Sequence, residues 1–334
     1  MTGAPTDWAV VDGRLRTQLV EVSSDISVLD GTGEWVVSVT FEGDVRCLRF
    51  GRSSPVDRWY DDAAPWSPPA DEAWVSSLDR AVYEDAVRAV RDRIAAGDVY
   101  QANLCRVLSA PVAKPPDVRA LGAALNRGNP APYAAVVHAP DAGVVVASAS
   151  PELFLHVDGD HVATGPIKGT AATADGLTDK DRAENVMIVD LARNDLGRVA
   201  ATGSVEVSSL LRLEHHPGLV HLVSTVTARR RPDAGWAEMF AAAFPPASVT
   251  GAPKSSALRI IDELETEPRG AYCGAVGWVD ADRRCGTLAV AIRTYEWREG
   301  RLRLGTGAGI TWGSDPRREW EETELKVHKL LAVR

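Results

Sequence analysis

Tyr133-Ala134-Ala135-Val136-Val137, Gly143-Val144-Val145-Val146-Ala147-Ser148-Ala149 and Leu153-Phe154-Leu155-His156-Val157 follow one another inside residues 133–157. Each run has the length of a strand, and runs this apolar suit strands buried on both faces. Residues 99–108 read the same way just upstream. Outward from this group, residues 78–96 place Val82, Tyr83, Ala86, Val87, Val90 and Ile94 at three-and-four spacing, with charge on the opposite face and Gly97 at the end. That spacing predicts an amphipathic helix. Further helices are expected over 179–197, 235–244, 254–264 and 316–331, and strands over 275–280, 287–295 and 302–307. Strands gathered in groups, with helices between the groups, predict an α+β fold rather than a regular βαβ alternation.

The first fifty residues alternate apolar and polar positions in places, as in Trp35-Val36-Val37-Ser38-Val39-Thr40-Phe41, and turn signals such as Asp30-Gly31 break them into strands. Residues 52–69 hold four prolines, two tryptophans and several aspartates, too interrupted for a helix or a central strand, and read as a linker. The expected organisation is a β-rich region and linker over 1–70 and a main domain over 71–334, packed as one unit. There is no internal repeat.

With 45% hydrophobic residues, the 334-residue chain can bury a large core. A formal charge of -9 leaves no broad basic face for a polyphosphate backbone, which argues against nucleic acid as a partner. Arg229-Arg230-Arg231, followed by Pro232, is the one basic run and is expected to be a solvated turn. No apolar stretch approaches the roughly 20 residues of a membrane span, and residues 1–14 lack the charged-then-apolar order of a signal peptide, so the cytoplasm is the expected compartment. Cys47, Cys105, Cys273 and Cys285 are scattered, which disfavours a zinc site or a disulfide framework.

Two helices carry paired acids at (i, i+3). These are Asp181 with Glu184 in residues 179–197, and Glu319 with Glu322, followed by Lys326, in residues 316–331. A solvated face explains either pair alone. However, Glu184 precedes Val186-Met187-Ile188-Val189, and Glu322 lies beside Trp320 and Leu325. Carboxylates so near a core need a counter-ion, and a hard divalent cation such as Mg²⁺ would supply one. Gly305-Thr306-Gly307-Ala308-Gly309 either brings backbone amides to an anion or forms a tight turn. Ser248 to Lys254 opens a helix and suits either a carboxylated ligand or a plain cap. Arg293, flanked by apolar residues in an expected strand, would need a planar anion if it faces inward and none if it faces outward. Lys168, between Pro166 and Gly169, is expected in a fixed turn. Desolvation there would favour a nucleophile or base, while an apolar pocket around Glu152 would favour an acid. An exposed turn lysine is the plainer reading.

Several ordered motifs resemble the chorismate-utilising enzymes from Gly97 to the C-terminus. They are Gly97-Asp98-Val99-Tyr100-Gln101-Ala102-Asn103-Leu104, Ser150-Pro151-Glu152, Pro166-Ile167-Lys168-Gly169-Thr170, Asp181-Arg182-Ala183-Glu184-Asn185, His221-Leu222-Val223-Ser224, Thr250-Gly251-Ala252-Pro253-Lys254, Ile292-Arg293-Thr294, Gly307-Ala308-Gly309-Ile310 and residues 319–326. The resemblance implies two antiparallel sheets packed as a core sandwich with helices outside. It implies magnesium held directly by Glu184 and Glu322, with Asp181 and Glu319 acting through water. Arg293, Lys326, Tyr100, Thr250, Thr170, His221 and the backbone of Gly307, Ala308 and Gly309 resemble the groups that position chorismate.

Within that family, anthranilate-forming members resemble Pro-Ile-Ala-Gly-Thr in the key pentad, whereas those that make 4-amino-4-deoxychorismate carry lysine, as Lys168 does here. Asn185, in place of a usual histidine, points the same way. The implied chemistry is attack by Lys168 at C2 while Glu152 protonates the C4 hydroxyl, followed by addition of ammonia at C4. No cysteine sits in the G-x-C-x-G setting of a glutaminase nucleophile, so ammonia is expected from a separate glutamine amidotransferase subunit. Two features depart from the family. The segment before Gly97 is short and lacks a match to the tryptophan-binding region, and Thr311-Trp312-Gly313 replaces small apolar residues and is expected to reshape a pocket wall. Anthranilate synthase remains the rival in the same class, ahead of isochorismate or salicylate synthase. A non-catalytic homologue is the rival outside it.

Overall fold

A computed structural model describes residues 6–61, 63–171, 173–216 and 219–333, with the side chains of Thr170, His216 and Leu219 outside that description. The N-terminal part forms β1 (Trp8–Val11), β2 (Arg14–Ser23), β3 (Glu34–Val39), β4 (Val45–Pro55), β5 (Val75–Ser76), α1 (Arg80–Ala95), β6 (Gln101–Pro111) and α2 (Val118–Gly128). The middle forms β7 (Tyr133–Ala139), β8 (Val144–Ser150), β9 (Leu153–Asp158), β10 (His161–Gly165), β11 (Ile167–Ala171), α3 (Asp179–Gly197), β12 (Glu206–His216) and β13 (Leu219–Arg229). The remainder forms α4 (Trp236–Ala243), β14 (Gly251–Ala252), α5 (Lys254–Leu264), β15 (Ala275–Asp280), β16 (Cys285–Val290), β17 (Thr294–Arg298), β18 (Arg301–Ile310) and α6 (Pro316–Leu331).

One antiparallel hydrogen-bonded path runs β12-β13-β10-β9-β16-β15-β3-β4 and continues β2-β1-β7-β8-β17-β18-β6. β11 shares β13 with β10, and β5 and β14 cap the far edge of β6. The two halves of the path face each other. Val36, Leu48 and Val276 from the first half pack with Ala135, Val137, Val144 and Val146 from the second. β2 and β4 join the halves, and their register slips between Leu19 and Glu21, where a bulge lets a long strand pair bend.

β8 shows how the sequence builds the layers. All its residues are buried, Val144 and Val146 between the sheets, Val145, Ala147 and Ala149 outward beneath α2. Leu121 and Leu125 of α2, with Leu330 of α6, cover that outer face. On the other outer face, Val189 and Leu196 of α3, Trp236 and Phe240 of α4 and Ile261 of α5 cover Leu155, Val157 and Leu288. The fold is therefore α+β, an antiparallel sandwich with helices outside. Each fully buried side chain of this size contributes roughly 1.5–3 kcal/mol.

The structure departs from the sequence-based expectations in five places. Residues 287–295 are not one strand. β16 ends at Val290 and β17 begins at Thr294, and Arg293 sits between them at φ 51°. The glycine run is the end of strand β18 rather than a turn. Lys168 lies within strand β11, not in a turn. Arg230 donates to the Gly159 and Ala234 carbonyls and Arg231 to the Arg198 carbonyl, so the basic run ties chain segments together rather than forming a solvated turn. Finally, β4 takes up residues through Pro55, and Trp59 and Trp66 pack against the α2 core, so these parts of the expected linker belong to the folded body.

Candidate active site

α3 and α6 approach each other across the end of β18, above β11 and the β8–β9 junction. A cavity of about 480 Å³ opens between them, within the roughly 300–1,000 Å³ typical of small-molecule sites. Glu152, Lys168, Asp181, Glu184 and His221 line it. So do Arg293, Gly307, Ala308, Gly309, Glu319, Glu322 and Lys326. Residues far apart in sequence thus converge.

Gly169 brings α3 onto β11. It takes φ +85°, and a Cβ there would lie 2.8 Å from Cβ of Asp181. Asp181 also builds the start of α3, because its Oδ2 accepts from the Thr178 backbone N–H at 2.8 Å and from the Thr178 hydroxyl at 2.6 Å. Backbone pairing sets Thr170 opposite His221, while the side chain of Thr170 lies outside the described residues.

Glu152 is 4% exposed at the β8–β9 junction. Burial pushes its carboxyl up to about 7, outweighing the opposing charge of Lys168. A carboxylic acid that keeps its proton near neutrality can act as a general acid. Arg293 is half-buried, and among the described residues no carboxylate pairs with its guanidinium. Burial alone lowers its pKa. A cation in this state suits an incoming planar anion.

The four acids form one electrostatic unit. Burial raises Glu184, helped by the nearby charges of Asp181 and Glu322 and opposed by Lys168 and Lys180. Burial likewise raises Glu319, with Glu322 and Glu184 adding to it. For Glu322, desolvation pushes upward, yet Lys326, bonded to it at 2.7 Å, and the charges of Lys168 and Lys180 hold it below the usual range. Lys180, absent from the sequence-derived site, lies 3.6 Å from both Glu184 and Glu319 and spans the two helices. Its one sequence signal is the (i, i+4) spacing to Glu184.

Whether this set suits a divalent cation is answered by its donors. Glu184 Oε1 is buried without a hydrogen-bond partner, the neighbouring oxygens are hard carboxylates, and the acids raise one another's proton affinity. Among the described residues no three His, Cys, Asp or Glu side chains already form a metal cage. Mg²⁺ needs fewer, since it takes one or two carboxylates and completes its shell with water and substrate oxygens. The donor chemistry of these residues therefore fits that ion.

The end of β18 offers a second recognition element. β17 pairs with β18 only through Leu304, so from Gly305 onward one edge of β18 is left to the cavity. The Gly307 carbonyl on this stretch accepts from Lys326 Nζ at 2.9 Å.

Some expected residues lie elsewhere. Tyr100 is 74% exposed and does not line the cavity. Thr250 is buried, but its hydroxyl donates to the Pro246 carbonyl at 3.0 Å, and Lys254 pairs with Asp195 at 2.9 Å. Thr250 and Lys254 are thus tied to the protein itself, while Ser248 and Val249 of the same turn do line the cavity. Asn185 is buried outside the cavity, donating to the Leu222 carbonyl and accepting from Ser224. Trp312 is exposed beneath Arg91 and forms no cavity wall.

Comparison with known proteins places this arrangement. Residues 61–332 match the chorismate binding enzyme family. The chain belongs to that family. It is 41% identical over 310 residues to anthranilate synthase component 1 1 of Haloarcula marismortui, covering 87% of this chain and 62% of that protein. It is 37% identical over 328 residues to aminodeoxychorismate synthase component 1 of Salmonella typhimurium, covering 92% of this chain and 71% of that protein. The chain thus spans under two thirds of the archaeal relative's length. Among solved structures, anthranilate synthase component I from Streptococcus pneumoniae superposes with a TM-score of 0.77 at 25% identity, covering 98% of this chain and 90% of that one. The menaquinone-specific isochorismate synthase of Escherichia coli shares the fold, with a TM-score of 0.79 at 18% identity and coverage of 98% and 89%.

Proposed function

We propose that this chain aminates chorismate at C4 with ammonia, in a magnesium-dependent reaction that gives 4-amino-4-deoxychorismate. The observation that carries this reading is that Lys168 and the buried acid Glu152 line the same cavity. Relatives named aminodeoxychorismate synthase and anthranilate synthase both match at similar identity, so the residue at position 168 supports the choice between them.

Arg293, Lys326 and the open edge of β18 bind and orient the substrate's carboxylates and oxygens. Mg²⁺, when bound by Glu184 and Glu322, supplies positive charge for the ring carboxylate. Lys168 Nζ forms a bond to C2 as the ring double bond shifts and the C4–O bond breaks, and Glu152 gives its proton to the departing hydroxyl, which leaves as water. Ammonia then bonds to C4, the double bond shifts back, and the C2–N bond to Lys168 breaks. The surplus ammonia proton returns to Glu152. Chorismate and ammonia become aminodeoxychorismate and water, with the enolpyruvyl group retained.

A separate glutamine amidotransferase is the proposed ammonia source, and the cytoplasm the proposed compartment. Among the described residues no helix is long and apolar enough to cross a membrane.

Lys168→Ala tests the reading. Ammonia-dependent turnover is expected to vanish while chorismate with Mg²⁺ still raises the melting temperature. Turnover equal to that of the unaltered protein would refute the covalent role of the lysine.

A further inference from the structure

Gln101 opens β6 and is wholly buried, yet neither its side-chain oxygen nor its side-chain nitrogen has a hydrogen-bond partner among the described residues. Buried amides left in this state are unfavourable, and native proteins rarely keep them without a use. The surroundings indicate the use. Gly309, on the neighbouring strand β18, lines the cavity, and a Cβ at that position would lie 2.9 Å from Gln101 Nε2 and 3.4 Å from Lys168 Nζ. The carboxamide and the amine therefore pack against the same bare Cα. Any side chain at 309 would intrude between them. Ala252 holds the backbone of Gln101 from the opposite edge of β6, so the strand fixes where the carboxamide sits.

We propose that Gln101 is a positioning residue for Lys168: with its carboxamide turned over about the last side-chain bond, so that Oε1 takes the place of Nε2 beside Gly309, it accepts one N–H of the lysine amine and the nitrogen lone pair faces the substrate ring. This rests on the covalent-lysine reading above. Gln101 forms and breaks no covalent bond. The reacting step is unchanged, with Nζ–C2 made, C4–O broken and the Glu152 proton leaving in water. Gly309 has a matching part, since the space it leaves is what allows the two side chains to meet.

Rapid quench of enzyme with chorismate and Mg²⁺ in the absence of ammonia, followed by intact mass measurement, reads the lysine adduct directly as a gain of one chorismate less one water. Gln101→Met keeps the length and shape of the side chain but removes both polar atoms. Its melting temperature is expected to equal or exceed that of the unaltered protein, because an unpaired buried amide is gone. Adduct formation is expected to slow at least tenfold, with KM for chorismate within about threefold. Gln101→Glu, which keeps an acceptor oxygen beside Lys168, should form adduct faster than Gln101→Met. If the unaltered protein forms no adduct, the covalent reading fails, and this inference with it. If it forms adduct and Gln101→Met does so at the same rate, the inference about Gln101 alone is overturned. A Gln101→Met protein that fails to fold or melts lower would also overturn it, by showing that the carboxamide serves the fold.

Discussion

Glu152 holds its proton to higher pH than an ordinary carboxyl because burial disfavours its charged form more than Ser248, Lys168 and the Ile167 backbone favour it. Its carboxyl is raised to about 7, so the acid-competent form is present below that pH and lost as pH rises through it. The turnover rate is therefore expected to fall above about pH 7 in a pH–rate profile. Glu152→Gln should lower turnover by about 10²–10⁴-fold and remove that alkaline limb. A Glu152→Gln protein with the same limb would assign it to another group. At this scale the sequence was informative where chemistry left a spacing. The acid pairs at (i, i+3) do face the cavity. It was uninformative where a role depends on a partner from elsewhere in the chain. Lys180 reaches Glu319 across two helices, and the hydroxyl of Thr250 is taken by a carbonyl four residues back. Tyr100 follows a motif into the right neighbourhood, but its side chain points to solvent.

Helices with clear ends were legible. Residues 179–197, 254–264 and 316–331 were expected as helices and are found with those bounds as α3, α5 and α6. α2 was missed because Pro115-Pro116 precede it and Gly122 interrupts it, although Asp117 caps it by accepting from Ala120 N at 3.0 Å. β11 was read as a turn because proline and glycine punctuate it, and β12 is largely solvent-facing, without an apolar run to mark it. The single strand expected over 287–295 breaks because Arg293 leaves the extended conformation. The β11–α3 junction carries a prediction of its own. Gly169→Ala forces a side chain into positive φ and against Asp181, which should cost on the order of 1–3 kcal/mol. Its melting temperature should fall, and more Mg²⁺ should be needed for half-maximal activity, since α3 carries Glu184. An alanine variant with unchanged melting and Mg²⁺ response would show that the close approach at Gly169 does not position α3.

For the whole molecule, the grouping of strands foretold α+β, but not the single path that links most of the strands. That path depends on pairings hundreds of residues apart, such as β3 with β15, which no local pattern encodes. Because β3 and β4 sit mid-path, residues 1–60 cannot be removed without opening the sandwich. A chain starting at residue 61 is expected to lose its cooperative melting transition in calorimetry, and retention of that transition would show that the first strands are dispensable. The central claim concerns where nitrogen enters the ring. Incubation of the full chain with chorismate, Mg²⁺ and ¹⁵N-ammonium, followed by NMR of the product, locates it directly. Nitrogen at C4 with the enolpyruvyl group still attached is the predicted result. Nitrogen at C2 with release of pyruvate would contradict the account.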